Sequence, residues 1–292
     1  MPAVSAITIF HDAEAWLREA VASVLAQTWT DWELLLVDDG STDGSTAIAR
    51  TLAEEHAGRI RYLTHPGRAN RGMSASRNLG VAHARGRSVA FLDADDVWLP
   101  SALAGQVAAL DTCPEAGMAA GTTEYWFGWT GRAEDARRDH VPGTGLPPDT
   151  VVAPPSLLLR FLRDETRPPG TCSILVRRDT FDAVGGFEES FRGMYEDQAF
   201  LAKVCLTVPV VLSGECVARY RQHAESCYSR SRAGGEAEAA EERYLRWLAA
   251  WLARHRHDEG PAWDELRRIL WRHRHPLLHR VMRRLPAALA SR

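Results

Sequence analysis

The apolar run Ser88-Val89-Ala90-Phe91-Leu92 ends in three carboxylates within four positions, Asp93, Asp95 and Asp96. A short apolar run bounded by polar residues reads as a buried strand. Carboxylates this close repel one another and resist losing water, so a cation is what best relieves the cluster. Hard divalent ions such as Mg²⁺ or Mn²⁺ take oxygen ligands, and Mg²⁺ commonly uses one or two carboxylates plus substrate phosphates. The competing reading is a solvated acidic turn before the helix that starts near Leu99-Pro100, where negative charge suits the helix dipole.

The chain before this run sets its frame. Val4 to Phe10 alternates as a first strand, and Ala15 to Leu25 carries helical spacing at Trp16, Leu17, Ala20, Val21, Val24 and Leu25. Trp32 to Val37 is a second buried strand, closed by Asp38-Asp39-Gly40-Ser41-Thr42-Asp43-Gly44. Strand–helix–strand alternation predicts parallel strands joined by right-handed crossovers, with ligands beyond the carboxyl ends of the strands. By that rule Asp12, the Asp38–Asp39 pair and Asp93 to Asp96 point into one crevice. Capping by Asp43 or Ser45 of a helix through Ala53 accounts for part of the second turn. It does not account for two consecutive aspartates at the end of a buried strand. Asp39 can accept a hydrogen bond from a nucleobase N–H or a ribose hydroxyl.

A weaker strand at Ile60 to Leu63, a loop from His65 to Gly72 and a helix from Ser74 to His83 follow. Arg68, Arg71 and Arg77 are candidates to clamp a diphosphate bidentately, with a solvated surface as the alternative for each. Leu99 to Leu110 reads as a helix and Gly117 to Thr122 as a strand. Tyr125 to Pro155 is rich in Gly and Pro and holds Trp126 and Trp129. It reads as a loop inserted over the crevice, because the sheet pattern resumes at Cys172 to Val176. Its indoles either stack on a sugar or fill a small core of their own. Glu196-Asp197 opens a helix, where acids suit the dipole without further reason. Val217 to Tyr220 is strand-like and runs into Arg221-Gln222-His223.

The tail carries two amphipathic patterns, at Tyr244, Trp247, Leu248, Trp251 and Leu252, then at Trp263, Leu266, Ile269 and Leu270. The second ends in a His- and Arg-rich run through Arg284. A helical cap on the sheet, or on a second subunit in a homodimer, is the simpler account; a basic end on a membrane surface is the alternative.

Bulk properties exclude some partners. With 292 residues, 45% apolar and 25% charged, the chain suits a soluble globular protein. A formal charge of −3 gives no reason to expect nucleic acid. Five scattered cysteines without metal-ligand or paired spacing point to reduced thiols. The first strand begins almost at once, no leader is evident, and no stretch reaches transmembrane length, so a cytoplasmic protein is expected.

Taken in order, these stretches resemble the family 2 glycosyltransferases, the inverting group with the GT-A fold. The resemblance is carried by the first strand and helix through Gln27-Thr28-Trp29, by Val37 to Asp43, and by Arg71 to Asn78. It continues through Phe91 to Trp98, Gly185-Gly186-Phe187, Glu196-Asp197 and Tyr220 to His223 with Ser226. It implies an α/β, Rossmann-like and mostly parallel sheet domain over residues 1–230, with helices on both faces. A nucleotide-sugar half would span 1–122, an acceptor half 123–230, and a C-terminal helical extension 231–292. The implied donor is a nucleotide-sugar, a UDP-sugar first; the implied acceptor is a glycan, peptide or small molecule. Asp39 resembles the base-reading aspartate, with Phe10, His11 and Asp12 lining the same pocket. Asp93 and Asp95 match the DXD motif that binds Mn²⁺ or Mg²⁺. Asp95 is the first choice for the ion, Asp96 a possible helper, and Ala94 and Arg221 fall on the donor side. Asp197 matches the catalytic base, beside Glu196, and His223 matches a histidine that reaches metal or diphosphate. One departure is Ile9-Phe10-His11-Asp12, where many members have a Pro before a Tyr-Asn pair.

Two rivals use the same residues. Asp93-Ala94-Asp95-Asp96-Val97 fits the nucleophile motif of haloacid-dehalogenase-type phosphatases, but two strand–helix units precede it and the sole lysine, Lys203, lies in an apolar helical run. A non-catalytic sugar-nucleotide-binding module would keep Asp39 and Asp95 and lack a base, which Asp197 argues against. A nicotinamide dehydrogenase fails earlier, since no GxGxxG follows the first strand.

Overall fold

The computed structural model describes residues 2–275. Its strands are β1 (Val4–Phe10), β2 (Trp32–Asp38), β3 (Ile60–Thr64), β4 (Ser88–Asp93), β5 (Val97–Trp98), β6 (Met118–Trp126), β7 (Thr150–Val152), β8 (Ile174–Arg177) and β9 (Val210–Arg221). They form one sheet in the order β3-β2-β1-β4-β8-β6-β9-β5, with β7 added beside β9. The first four strands run parallel, with Phe10 opposite Asp38 and Ile9 opposite Asp93. This register lines up the carboxyl ends of β1, β2 and β4, so the three acidic strand ends reach one rim. Beyond β4 the sheet is mixed: β8 is antiparallel to β4 and β6, while β6 and β9 are parallel.

Every residue of β1 and β2 is buried, as expected of central strands covered on both faces. Alternation sorts their side chains. Ile7, Leu35 and Phe91 join Phe181, Phe187 and Phe200 on one face. Ala6, Leu34 and Leu92 join Leu17, Val21 and Leu103 on the other. The first core also takes in Tyr244, Leu248, Leu252 and Leu266, so the helices Ala237–Arg254 and Pro261–Arg274 share the sheet's own apolar layer. That matches the expectation of a cap on the sheet. The rest of the basic run, from 276 to Arg284, lies outside the described residues. No described helix is long and apolar enough to cross a membrane.

Helix Met73–His83 lies close against β1 because position 80 has no side chain. A Cβ on Gly80 would stand 2.5 Å from Ile7 Cγ2 and 3.3 Å from Val37 Cγ2. Both neighbours are buried, so Gly80→Ala should cost about 1–3 kcal/mol by overpacking, despite alanine's better helix propensity. Chemical denaturation checks this; a stabilised variant would mean the helix shifts freely.

The middle of the chain is more ordered than its composition suggests. The expected loop from Tyr125 contains the end of β6, a short helix Ala133–Ala136 and β7, which pairs with Val210–Leu212 of β9. Strand β9 also starts seven residues before the expected Val217. Ser213, Gly214 and Glu215 interrupt its apolar pattern, and its pairing with β6 shifts register twice between Ala120 and Thr123. An irregular strand of this kind hides its period from sequence.

Candidate active site

A crevice of about 1,200 Å³ opens at the carboxyl ends of β1, β2 and β4. On one side it is lined by Phe10, His11, Asp12, Asp39, Asp93, Ala94, Asp95 and Asp96, and on the other by Glu196 and Asp197. The sequence-predicted acids of both halves therefore meet in one place.

Several of these acids also build the walls. Asp12 has a left-handed backbone (φ 49°), which aspartate tolerates. Its Oδ1 accepts the N–H groups of Thr42 (2.6 Å) and Asp43 (3.3 Å), while Ser41 Oγ accepts its own N–H. The bond from Thr42, against burial, holds the Asp12 carboxyl below its ordinary range. Of the Asp38–Asp39 pair, Asp38 is structural, fully buried and hydrogen-bonded by Ser41 N–H, Thr46 and Tyr62. Asp39 lines the crevice and accepts the N–H groups of Arg71 (2.7 Å) and Gly72 (2.9 Å), pinning the loop between β3 and helix Met73–His83.

The expected arginine clamp is not formed by the residues named for it. Arg68 donates to Ser41 O and Thr46 Oγ1 on the outer side of the turn after β2. Arg71 is exposed and lines no part of the crevice. Arg77 sits on helix Met73–His83 as expected, but it is 1% exposed and bridges Asp93 (2.8 and 3.1 Å) and Glu196 (3.2 Å). Arg221 likewise differs from its expected donor-side place. It lies behind the acidic segment, 2% exposed, giving Nε to Asp95 O (2.7 Å) and its backbone N–H to Asp96 Oδ1 (3.0 Å). Its guanidinium lies over the rings of Trp16, Trp126 and Trp129 at 4.6, 4.4 and 5.5 Å. The indoles of the inserted region thus fill a core of their own around a cation, instead of facing a sugar.

What remains free to act is narrower than the sequence suggests. Asp93 is committed to Arg77 and to Thr171 Oγ1 (3.3 Å). Asp96 is buried, and burial, with Asp95 and Asp93 nearby, pushes its carboxyl well up. Asp95 meets His223, Nε2 to Oδ2 at 3.0 Å, and the other ring nitrogen of His223 is buried without a hydrogen-bond partner among the described residues. Among the described residues no three His, Cys, Asp or Glu side chains form a ready metal cage.

Across the crevice, helix Glu196–Thr207 starts after Tyr195, whose backbone is left-handed (φ 74°). Asp197 Oδ1 accepts the N–H of Gln198 (2.7 Å). One guanidinium, Arg77, faces three acids: Asp93, Glu196 and Asp197. Burial, then repulsion from Asp197, raises Glu196 to about 7, and burial raises Asp197 as well. The folded protein therefore holds a proton on this pair that the unfolded chain releases. Its contribution to stability is full below the ordinary glutamate value of 4.5 and lost as pH approaches 7. Glu196→Gln should flatten the fall in stability across that window, read by melting temperature against pH.

Three crevice residues carried no sequence signal for the site. Trp16 was legible only as an apolar helix position, yet it lines the crevice beside His223 (ring centroids 5.6 Å). Thr171 belongs to no motif. Arg192 lines the crevice and donates to Asn70 Oδ1 (2.8 Å), on the loop before helix Met73–His83.

The family model described as Glycosyl transferase family 2 matches residues 5–181. The chain belongs to that family. Among curated relatives, the O-antigen biosynthesis protein RfbC of Myxococcus xanthus is 35% identical over 66% of this chain and 14% of its own length. The Escherichia coli protein named UDP-Glc:alpha-D-GlcNAc-diphosphoundecaprenol beta-1,3-glucosyltransferase WfgD is 36% identical over 36% of this chain and 39% of its own. Both matches span well under half of the relative. Two solved structures share the fold. S. aureus TarS 1-349 in complex with UDP-GlcNAc superposes with a TM-score of 0.69 at 20% identity, covering 91% of this chain and 70% of that one. The mannosyltransferase PcManGT from Pyrobaculum calidifontis, in complex with GDP-Man and Mn²⁺, gives 0.62 at 18%, covering 94% and 69%. The GT-A type fold follows, and the phosphatase reading finds no support. Lys203 is buried and bound to Gly186 O and Glu188, away from the acidic segment.

Proposed function

We propose that this chain moves a sugar from a nucleotide-diphosphate donor, a UDP-sugar first, to an acceptor hydroxyl with inversion at the sugar carbon. The observation that carries the reading is the pairing of Asp95 with His223 on one side of the crevice and the half-buried acid Asp197 on the other. One relative named for UDP-Glc, and structures holding UDP-GlcNAc or GDP-Man with Mn²⁺, support the donor class.

The residues fit a divalent ion held in part by its substrate. Two protein ligands, Asp95 and His223, suit an ion that takes its remaining oxygens from a diphosphate, whereas a closed protein cage would need more. Bound there, the ion would stabilise the negative charge growing on the leaving diphosphate. Arg77 keeps Asp93 out of that role and in place as a wall. His11, exposed at the rim, offers its ring to a base, and Asp39 offers the lone pairs its backbone bonds leave free. Asp197 takes the acceptor proton as the acceptor oxygen bonds to the anomeric carbon and the bond to the diphosphate breaks. Burial helps, because a raised carboxyl is a stronger base.

The test is release of UDP from UDP-sugars in the presence of Mn²⁺ or Mg²⁺. Release that requires the metal and falls away in Asp95→Asn supports the reading. Binding of UDP without turnover of any donor supports a non-catalytic module, and phosphate release from a monoester would revive the phosphatase.

A further inference from the structure

From residue 266 to its end the chain carries eight arginines and no acid, while residues 1–265 hold 27 cationic side chains against 38 acidic ones. An acidic body therefore ends in a strongly basic segment. Four of the eight arginines lie on helix Pro261–Arg274, whose inner face is taken up by Ala262 and Leu266 in the core. The outward positions follow from the helical period. Arg267, Trp271 and Arg274 fall at i, i+4 and i+7, and Arg268, Arg272 and His275 repeat that spacing one residue on.

Two features separate this stripe from an ordinary solvated face. Arg267, Arg272 and Arg274 have no carboxylate within ion-pair distance among the described residues, although acids outnumber bases elsewhere; Arg268 alone is paired, with Glu265. Between them stands Trp271, 39% exposed, one of three exposed large apolar side chains among the described residues. A lone solvated charge cluster has no use for an exposed indole. A lipid headgroup layer accepts both, since arginines meet anionic phosphates and tryptophan settles at the apolar–polar boundary.

We infer that the outer stripe of helix Pro261–Arg274 docks the protein on an anionic bilayer surface. The placement has a consequence for the crevice. This helix packs on helix Ser156–Leu162, whose Leu157 and Phe161 line the crevice. Docking would bring that wall of the crevice toward the lipid. The inference does not depend on the glycosyl-transfer reading, because it concerns binding alone.

Sedimentation of the full chain with vesicles tests it. Phosphatidylcholine vesicles containing phosphatidylglycerol should pull the protein down, pure phosphatidylcholine vesicles should not, and added salt should weaken the binding. Each arginine near such a surface contributes about fivefold in partitioning. The triple variant Arg267→Gln, Arg272→Gln, Arg274→Gln should therefore lose on the order of 100-fold, with an unchanged melting temperature because the three side chains make no bond to another side chain among the described residues. Trp271→Ala should weaken binding by an amount that salt does not alter. Equal binding of both vesicle types, or of triple variant and parent, overturns the inference. So does tighter binding to an oligonucleotide than to the anionic vesicles. If the triple variant instead splits a dimer and leaves vesicle binding intact, the stripe is a subunit contact and the inference fails.

Discussion

Asp197→Asn should leave UDP and Mn²⁺ binding at the parent level and reduce sugar transfer by about 10²–10⁴-fold, the span typical of a lost general base. The amide is nearly the same size and keeps the helix start intact, but it cannot accept the acceptor proton. Structure predicts a second, separable effect. Asp197 is one of three acids around a single guanidinium, and burial raises its carboxyl. Removing its charge relieves repulsion with Glu196, so the variant should melt no lower than the parent. Calorimetry with UDP, a donor-turnover assay and a melting curve together decide the matter. Near-parent turnover would take Asp197 out of the reaction, whereas lost binding or a lower melting temperature would recast it as a structural residue.

The largest stability effect should come from Arg77→Met. Its guanidinium is buried and holds Asp93 and Glu196, from two distant parts of the chain. Breaking a buried pair by deleting one partner typically costs about 3–5 kcal/mol, because the remaining charge loses its partner without regaining water. For a protein of this size that corresponds to a fall of roughly 10 °C in melting temperature. The loss should shrink at acid pH, since Glu196, raised to about 7 even with Arg77 present, can then take up a proton instead. Arg77→Lys should fall between, as one ammonium cannot fork to two carboxylates. An unchanged melting temperature for Arg77→Met would mean that water reaches the pair.

The first half of the fold was legible because its strands are fully buried and its period is clean. Val4–Phe10 falls on the strand that the alternation predicts, and Trp32–Val37 and Ser88–Leu92 each stop one residue short of theirs. The second half was read in pieces. Strand β9 was visible only in its last residues, and β7 not at all, because Gly, Ser and Glu break the pattern where the strand bulges against β6. In the crevice, acids were legible by clustering at strand ends, a property of local sequence. Arginine roles were not. Arg77 and Arg221 look like solvent-seeking cations in sequence, and only packing reveals that each is enclosed by partners brought from far along the chain. Trp16 and Thr171 escaped for the same reason: their importance lies in what they face.

Arg221, wrapped by Trp16, Trp126 and Trp129, has a bearing on protein engineering. Trp126 closes β6 and Trp129 follows it in the stretch toward β7, the part a designer would exchange to alter acceptor choice under the proposed function. Yet their rings help seat the cation that carries the Asp95 carbonyl. A transplanted segment lacking those two indoles would loosen the far end of the cleft, and the chimera would lose its grip on the donor before any new acceptor could be tried.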